Sequence, residues 1–167
     1  MVDTSIVRGQ DWLTLLLQKA GLSVTVTGSE EDVPPDNDEG ASYWLTIDET
    51  NLSPEQISTL IGSNGSVLDA IQYLTNSILN LNQPPEQQAS YTIELNGYRV
   101  KREAEIRTLA ENAAAAARAS GNEIEIKSLS SAERRQVHTF LKDYADLETF
   151  SRGKEPHRHL VVRPAME

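Results

Sequence analysis

Ile61-Gly62-Ser63-Asn64-Gly65 is a short corner between two amphipathic segments, and the reading of this corner sets the reading of the fold. Before it, Ser53-Pro54-Glu55-Gln56 opens a helix: Ser53 caps, Pro54 suits the first helical position, and Gln56 completes a capping box. After it, Ser66 with Asp69 three residues on starts a second helix, with Leu68, Ile71, Leu74, Ile78 and Leu81 at helical spacing. Glycine at both ends lets the chain turn sharply and lets backbone approach a ligand, with free N–H groups at the start of the new helix. Two readings fit. One is an ordinary helix–turn–helix corner; the other is a GXXG loop of the kind that clamps a nucleic-acid backbone.

The flanking pattern bears on the choice. Asp11 to Ala20 reads as a helix with Trp12, Leu15, Leu16 and Lys19 on adjoining positions, stopped by Gly21. Leu22 to Thr27 and Tyr43 to Ile47 alternate with period two, as does Tyr91 to Leu95 after the breaker Gln83-Pro84-Pro85. Helix, strand, strand, helix, GXXG, helix, strand is the order of a type II KH domain, assigned to residues 8–96 after a tail at 1–7. In such a domain Gly62, Ser63, Asn64 and Gly65 hold backbone, with Ile61 and Leu68 bordering a base-sized groove. Residues 28–40, which carry Glu30-Glu31-Asp32, Asp36, Asp38 and Glu39, read as an acidic mobile loop between the early strands.

The second half, residues 97–164, reads as helices on a small sheet. A long helix runs from Arg99 to Ser120 with Ile106, Leu109, Ala113 and Ala117 recurring on one side, and a strand follows at Glu123 to Lys127. Ser130 and Glu133 form a capping box for a helix whose buried face is Val137, Phe140, Leu141 and Tyr144. Arg134 and His138 fall beside that face, near Arg135 and Lys142, as a basic stripe at the border of core and solvent. A guanidinium there forks onto phosphate; equally, a half-buried histidine and an arginine paired with a carboxylate give the same spacing. Leu147 to Ser151 and Arg158 to Arg163 read as paired strands, with Arg152, Lys154 and Arg158 at or near the turn.

Composition narrows the function. The 167 residues contain no cysteine, so no disulfide framework or thiolate metal site exists. No apolar run approaches a membrane span and no cleavable leader is visible, so a cytoplasmic protein without membrane insertion is expected. The net charge of −10 is unusual for a nucleic-acid binder, but it is unevenly placed. Residues 1–96 hold two basic against fourteen acidic side chains, net −12; residues 97–167 hold thirteen against eleven, net +2. His157 and His159 share a strand face without an obvious third ligand, so no metal is expected, nor any cofactor. No nucleophile elbow, P-loop or dinucleotide fingerprint occurs, which argues against an enzyme.

Ile61-Gly62-x-x-Gly65-x-x-Leu68-Asp69-Ala70-Ile71-Gln72-Tyr73-Leu74 resembles the KH signature of the bacterial Jag (SpoIIIJ-associated) proteins. Gly97-Tyr98-Arg99 ahead of a long helix, Arg134 and His138 as an Arg-x-x-x-His motif, Gly153-Lys154-Glu155-Pro156-His157-Arg158 and Val161-Val162-Arg163-Pro164 resemble the second domain of that family. The resemblance implies an α+β chain, a type II KH domain followed by an Arg-x-x-x-His domain, covering nearly the whole sequence. It implies single-stranded RNA binding without enzymatic activity, a post-transcriptional role, and in some members a KH-only protein as partner. Where members often carry basic residues between the glycines, this chain has Ser63 and Asn64. Single-stranded DNA binding, and an adaptor whose KH half docks protein, remain alternatives.

Overall fold

The computed structural model describes residues 3–31 and 41–166. The chain divides into two compact units, Met1–Arg99 and Val100–Glu167.

The first unit is a three-stranded sheet with helices packed on it. Its elements are α1 (Thr4–Lys19), β1 (Val26–Glu30), β2 (Ser42–Ile47), α2 (Pro54–Ile61), α3 (Ser66–Leu79) and β3 (Ser90–Leu95). The strand order is β1-β2-β3, with β1 antiparallel and β3 parallel to β2. Leu13 and Leu17 of α1 and Leu68 and Ile71 of α3 bury against Tyr43, Leu45, Ile47, Tyr91, Ile93 and Leu95. Helix α1 starts at Thr4, capped by the Asp3 carboxylate on the Ser5 amide, so residues 4–7 of the expected tail are helix. Strand β1 begins later than the alternation from Leu22 to Thr27 indicated and runs through Gly28 to Glu30, where a loop was expected. Residues 32–40 of that acidic loop lie outside the described residues.

Helix α3 is fixed to the edge of the sheet by side-chain amides one turn apart. Asn80 exchanges hydrogen bonds with both backbone groups of Ala89 (2.9 and 2.8 Å), and Asn76 does the same with Tyr91 (2.9 and 2.7 Å). The Ile93 amide donates to Gln72 Oε1 (2.9 Å), and Arg99 Nε donates to the Ile93 carbonyl (3.1 Å). The outward backbone groups of Tyr91 and Ile93 in edge strand β3, and of Ala89 just before it, are thereby satisfied, which closes this edge to a further strand. The core face of α3 is Leu68, Ile71, Thr75 and Leu79; Leu74, Ile78 and Leu81, expected on the same stripe, are exposed.

The second unit comprises most of α4 (Tyr98–Ser120), β4 (Ile124–Ile126), α5 (Ser131–Leu141), β5 (Leu147–Arg152) and β6 (His159–Pro164). Its sheet is antiparallel with order β4-β6-β5. Ile106, Ala110, Ala113, Ala114 and Ala117 of α4 and Val137 and Leu141 of α5 pack with Ile126, Leu147, Leu160 and Val162. The small alanines let α4 sit close in this core, while Leu109 faces solvent. Phe140 is only partly buried; Arg107 lies 4.4 Å from its ring centroid, and Arg118 lies 4.8 Å from that of the exposed Tyr144. No described helix is long and apolar enough to cross a membrane.

Candidate nucleic-acid interface

The glycine corner is built by α2 and α3 together. Helix α2 carries the capping box, with the Gln56 amide on Ser53 Oγ (3.1 Å) and the Ser53 amide on Gln56 Oε1 (2.9 Å). It ends at Gly62 with φ 73°; Asn64 (φ 51°) and Gly65 (φ 76°) also take positive φ. A side chain at Gly62 would meet the Val67 amide nitrogen at 2.8 Å, and one at Gly65 would meet the Tyr98 ring and hydroxyl at 2.5–2.7 Å. Both glycines are therefore required by space as well as by dihedral. Gly65 is buried, whereas Ser63 and Asn64 are exposed, and their backbone amides donate to no acceptor among the described residues.

Among the described residues of the first unit, the cation that reaches this corner, Arg99, is paired. Asp69, in the first turn of α3, accepts from Arg99 Nη1 at 2.6 Å. Leu68, expected to border a base groove, is 0 % exposed in the core, while its neighbour Val67 is exposed. The corner thus offers neutral backbone donors and little else.

In the second unit the two residues of the Arg-x-x-x-His motif separate in role. Arg134, Val137 and Leu141 fall at i, i+3 and i+7 on α5, so Arg134 sits on the core face at 5 % exposure. Its Nη1 donates to the Leu129 carbonyl (2.9 Å) and the Arg158 carbonyl (3.3 Å), and its Nη2 to the Glu155 carboxylate. Arg134, expected to fork onto phosphate, here uses these donors to tie the N-terminal end of α5 to the β5–β6 turn. Arg152, also expected to contact phosphate, has partners on its own sheet. It pairs with Glu123 at 2.9 Å and, like Arg163, stacks on Phe150. Arg163 in turn pairs with Glu148 at 3.0 Å. The hydrogen bond from Arg152 is the main reason that the Glu123 carboxyl is held below its ordinary range. These sheet cations are neutralised by their own neighbours.

What stays open is a different row. Arg135, His138, Thr139 and Lys142 follow at i, i+3, i+4 and i+7, all exposed, with Lys142 continuing the spiral past the last helical residue. Arg135 and Lys142 lie about 10 Å apart along the axis. Neither makes an ion pair among the described residues, and neither does Lys154. Arg158 donates to the Gly153 carbonyl at 3.0 Å, a neutral acceptor that leaves its charge uncompensated. An open groove of about 400 Å³ is lined by Arg135, His138, Thr149, Ser151 and Arg158, with Arg134 also in its wall. The ring Nδ1 of His138 hydrogen-bonds the Thr149 hydroxyl. Thr149 and Ser151 were not foreseen in the sequence, because only the fold brings β5 beside α5.

Residues 104–164 match the family of Arg-x-x-x-His (R-x-x-x-H) domains. The chain is 32 % identical over 114 residues to the RNA-binding protein KhpB of Bacillus subtilis (strain 168), covering 67 % of this chain and 54 % of that protein. It is 29 % identical over 112 residues to the RNA-binding protein KhpB of Clostridium symbiosum, 67 % of this chain and 50 % of that one. With the KhpB of Lactiplantibacillus plantarum the identity is 30 %, over 34 % of that protein. The chain thus spans about half the length of the first two relatives and less of the third. Its residues 104–164 are similar to Arg-x-x-x-His domains, and about two thirds of the chain is similar to part of the KhpB proteins.

Proposed function

We propose that this chain binds single-stranded RNA, as a non-enzymatic cytoplasmic protein with a post-transcriptional role, and that α5 of its Arg-x-x-x-His domain supplies most of the phosphate contacts. The observation that carries this reading is the exposed, uncompensated row of Arg135, His138 and Lys142 with Arg158 and Lys154 nearby. These cations stand apart in a unit whose other arginines are largely paired, and flexible or forked cations on one helix face suit a phosphate backbone. The order α-β-β-α-α-β with Gly62-Ser63-Asn64-Gly65 between α2 and α3 supports a type II KH domain at 8–96. Its corner contributes backbone amides at Ser63 and Asn64, and no charge. Electrophoretic or fluorescence titration with an unstructured RNA, in the wild type and in the Arg135→Ala/Lys142→Ala double variant, tests the assignment. A loss of affinity in the double variant supports it, and equal affinity removes the α5 row from the interface. Competition by DNA of the same sequence distinguishes RNA from single-stranded DNA as the ligand, through the 2′-hydroxyl.

A second reading, an adaptor that docks a protein through the first unit, is favoured by one feature. Along α3 and just beyond it, Val67, Leu74, Ile78 and Leu81 form an exposed apolar stripe beside Tyr73, with Leu81 65 % and Tyr73 72 % exposed. A KH-only protein with a complementary apolar helix is a partner of the kind this stripe fits. Purified chain that binds no RNA at low salt yet pairs with such a protein decides for the adaptor.

A further inference from the structure

His138 sits at the centre of the α5 row, and the direction of its outer ring nitrogen depends on what its inner one does. Nδ1 meets the hydroxyl of Thr149, on β5 eleven residues along the chain. Thr149 pairs in register with Val162, and as a β-branched residue in a strand it has little χ1 freedom, so the hydroxyl is held in place. Among the described residues this hydroxyl has no other side-chain or backbone partner. A neutral imidazole carries one proton, on either nitrogen, and the partner of one nitrogen sets the state of the other. With the proton on Nδ1, the ring donates to Thr149 and turns a bare lone pair outward, which repels a phosphate oxygen. With Thr149 Oγ1–H donating to Nδ1, the ring proton is on Nε2, and the outward nitrogen is a donor.

We propose that Thr149 is a positioning residue that holds His138 in the Nε2–H tautomer, so that the ring donates to a backbone phosphate of the strand bound along α5. The proposal rests on the reading that α5 contacts RNA. With no other partner among the described residues, the Thr149 hydroxyl has its proton available for Nδ1, and in the proposed arrangement Nδ1 is the acceptor. The phosphate contact then needs no protonation of the ring, and both ring nitrogens keep a defined role. Residue spacing carries no sign of this pair, since residues 138 and 149 lie on different elements.

Two measurements on the whole chain test it. Long-range ¹H–¹⁵N correlation spectra at pH 8.5 report the tautomer of His138 in the wild type, Thr149→Val and Thr149→Ser proteins. Titrations with a labelled oligouridylate report affinity for the same proteins and for His138→Ala. Expected are an Nε2–H ring in the wild type and the serine variant, a mixed or Nδ1–H ring in the valine variant, and affinity lower by about two- to tenfold in the valine variant alone. A wild-type ring protonated on Nδ1 overturns the proposal, and this readout needs no variant to fold. So does unchanged affinity in Thr149→Val when His138→Ala weakens binding. If His138→Ala binds as well as the wild type, the reading of α5 as the RNA face fails first, and the spectra still decide the tautomer separately.

Discussion

The Nη1 of Arg134 donates to the backbone carbonyl of Arg158, 3.3 Å away and twenty-four residues along the chain. Arg134 therefore positions a cation of the groove while forming part of its wall. Its other donors reach the Leu129 carbonyl and the Glu155 carboxylate, so one buried side chain joins the lead into α5, its own helix and the β5–β6 turn. A guanidinium is suited to this because it presents five donors in a rigid fork.

Arg134→Ala is accordingly expected to act first on stability. It leaves the buried Leu129 carbonyl and the half-buried Arg158 carbonyl without their donor, at a cost of about 1–3 kcal/mol. The exposed Glu155 carboxylate adds little to that, since solvent screens it. Urea unfolding measures the loss. Arg134→Lys keeps the charge but not the fork and falls between. RNA affinity, measured well below the unfolding midpoint, is expected to fall less than in the Arg135 variant.

Salt dependence separates the open cations from the committed ones. Arg135→Ala and Lys142→Ala each remove about one phosphate contact, which lowers the slope of log affinity against log salt by about 0.7–1. Arg152→Ala and Arg163→Ala, whose charges are met by Glu123 and Glu148, leave the slope unchanged. Titrations at four or more salt concentrations give the slopes.

Gly65 and Gly97 share a positive φ (76° and 67°) but differ in surroundings. A methyl at Gly97 meets nothing within 4 Å, while one at Gly65 meets the Tyr98 ring and hydroxyl at 2.5–2.7 Å. Gly97→Ala is expected to cost about 1 kcal/mol of dihedral strain. Gly65→Ala adds a steric clash of about 1–3 kcal/mol. Thermal unfolding of the two variants side by side checks the difference.

Tyr43 gives the first unit an alkaline limit. Burial, then its hydrogen bond to Asp3 (2.6 Å), pushes the phenol up to about 12 from its ordinary 10. The folded chain holds this proton more tightly than the unfolded one. Its contribution to stability is thus constant below about pH 10 and declines as pH rises from there to about 12. Tyr43→Phe is expected to flatten that limb, with a smaller remainder from Tyr91, whose phenol is raised by burial. At the acid end the same hydrogen bond holds the Asp3 carboxyl below its ordinary range, so its contribution is present above that range and is lost as pH falls through the lowered value. Unfolding free energy against pH measures both limbs.

Several features of the chain were legible in the sequence because they depend on neighbours a few residues apart. The capping boxes at Ser53/Gln56 and Ser130/Glu133 form as read, and so do the turns around Gly62 and Gly153. Features that depend on distant contacts were not. Helix α1 extends back over Gly9, a poor helix former, because a side chain there would meet Leu45 and Tyr91 at 2.9–3.0 Å; the glycine is a packing choice, not a break. The Arg134/His138 spacing of four suggested one shared surface, yet Val137 and Leu141 were enough to place Arg134 on the buried seam. The pairing of Arg152 with Glu123, and of His138 with Thr149, required the strand order β4-β6-β5, which residue patterns do not encode.

The central claim, that an RNA strand lies on the exposed face of α5, is tested most directly by amide shift mapping of the whole chain on addition of unstructured RNA at low salt. The largest changes are expected at Arg135, His138, Thr139 and Lys142 and across residues 153–158, with smaller ones at Ser63 and Asn64. Changes confined to the α3 stripe at Tyr73, Leu74, Ile78 and Leu81, or no changes at all, would contradict it.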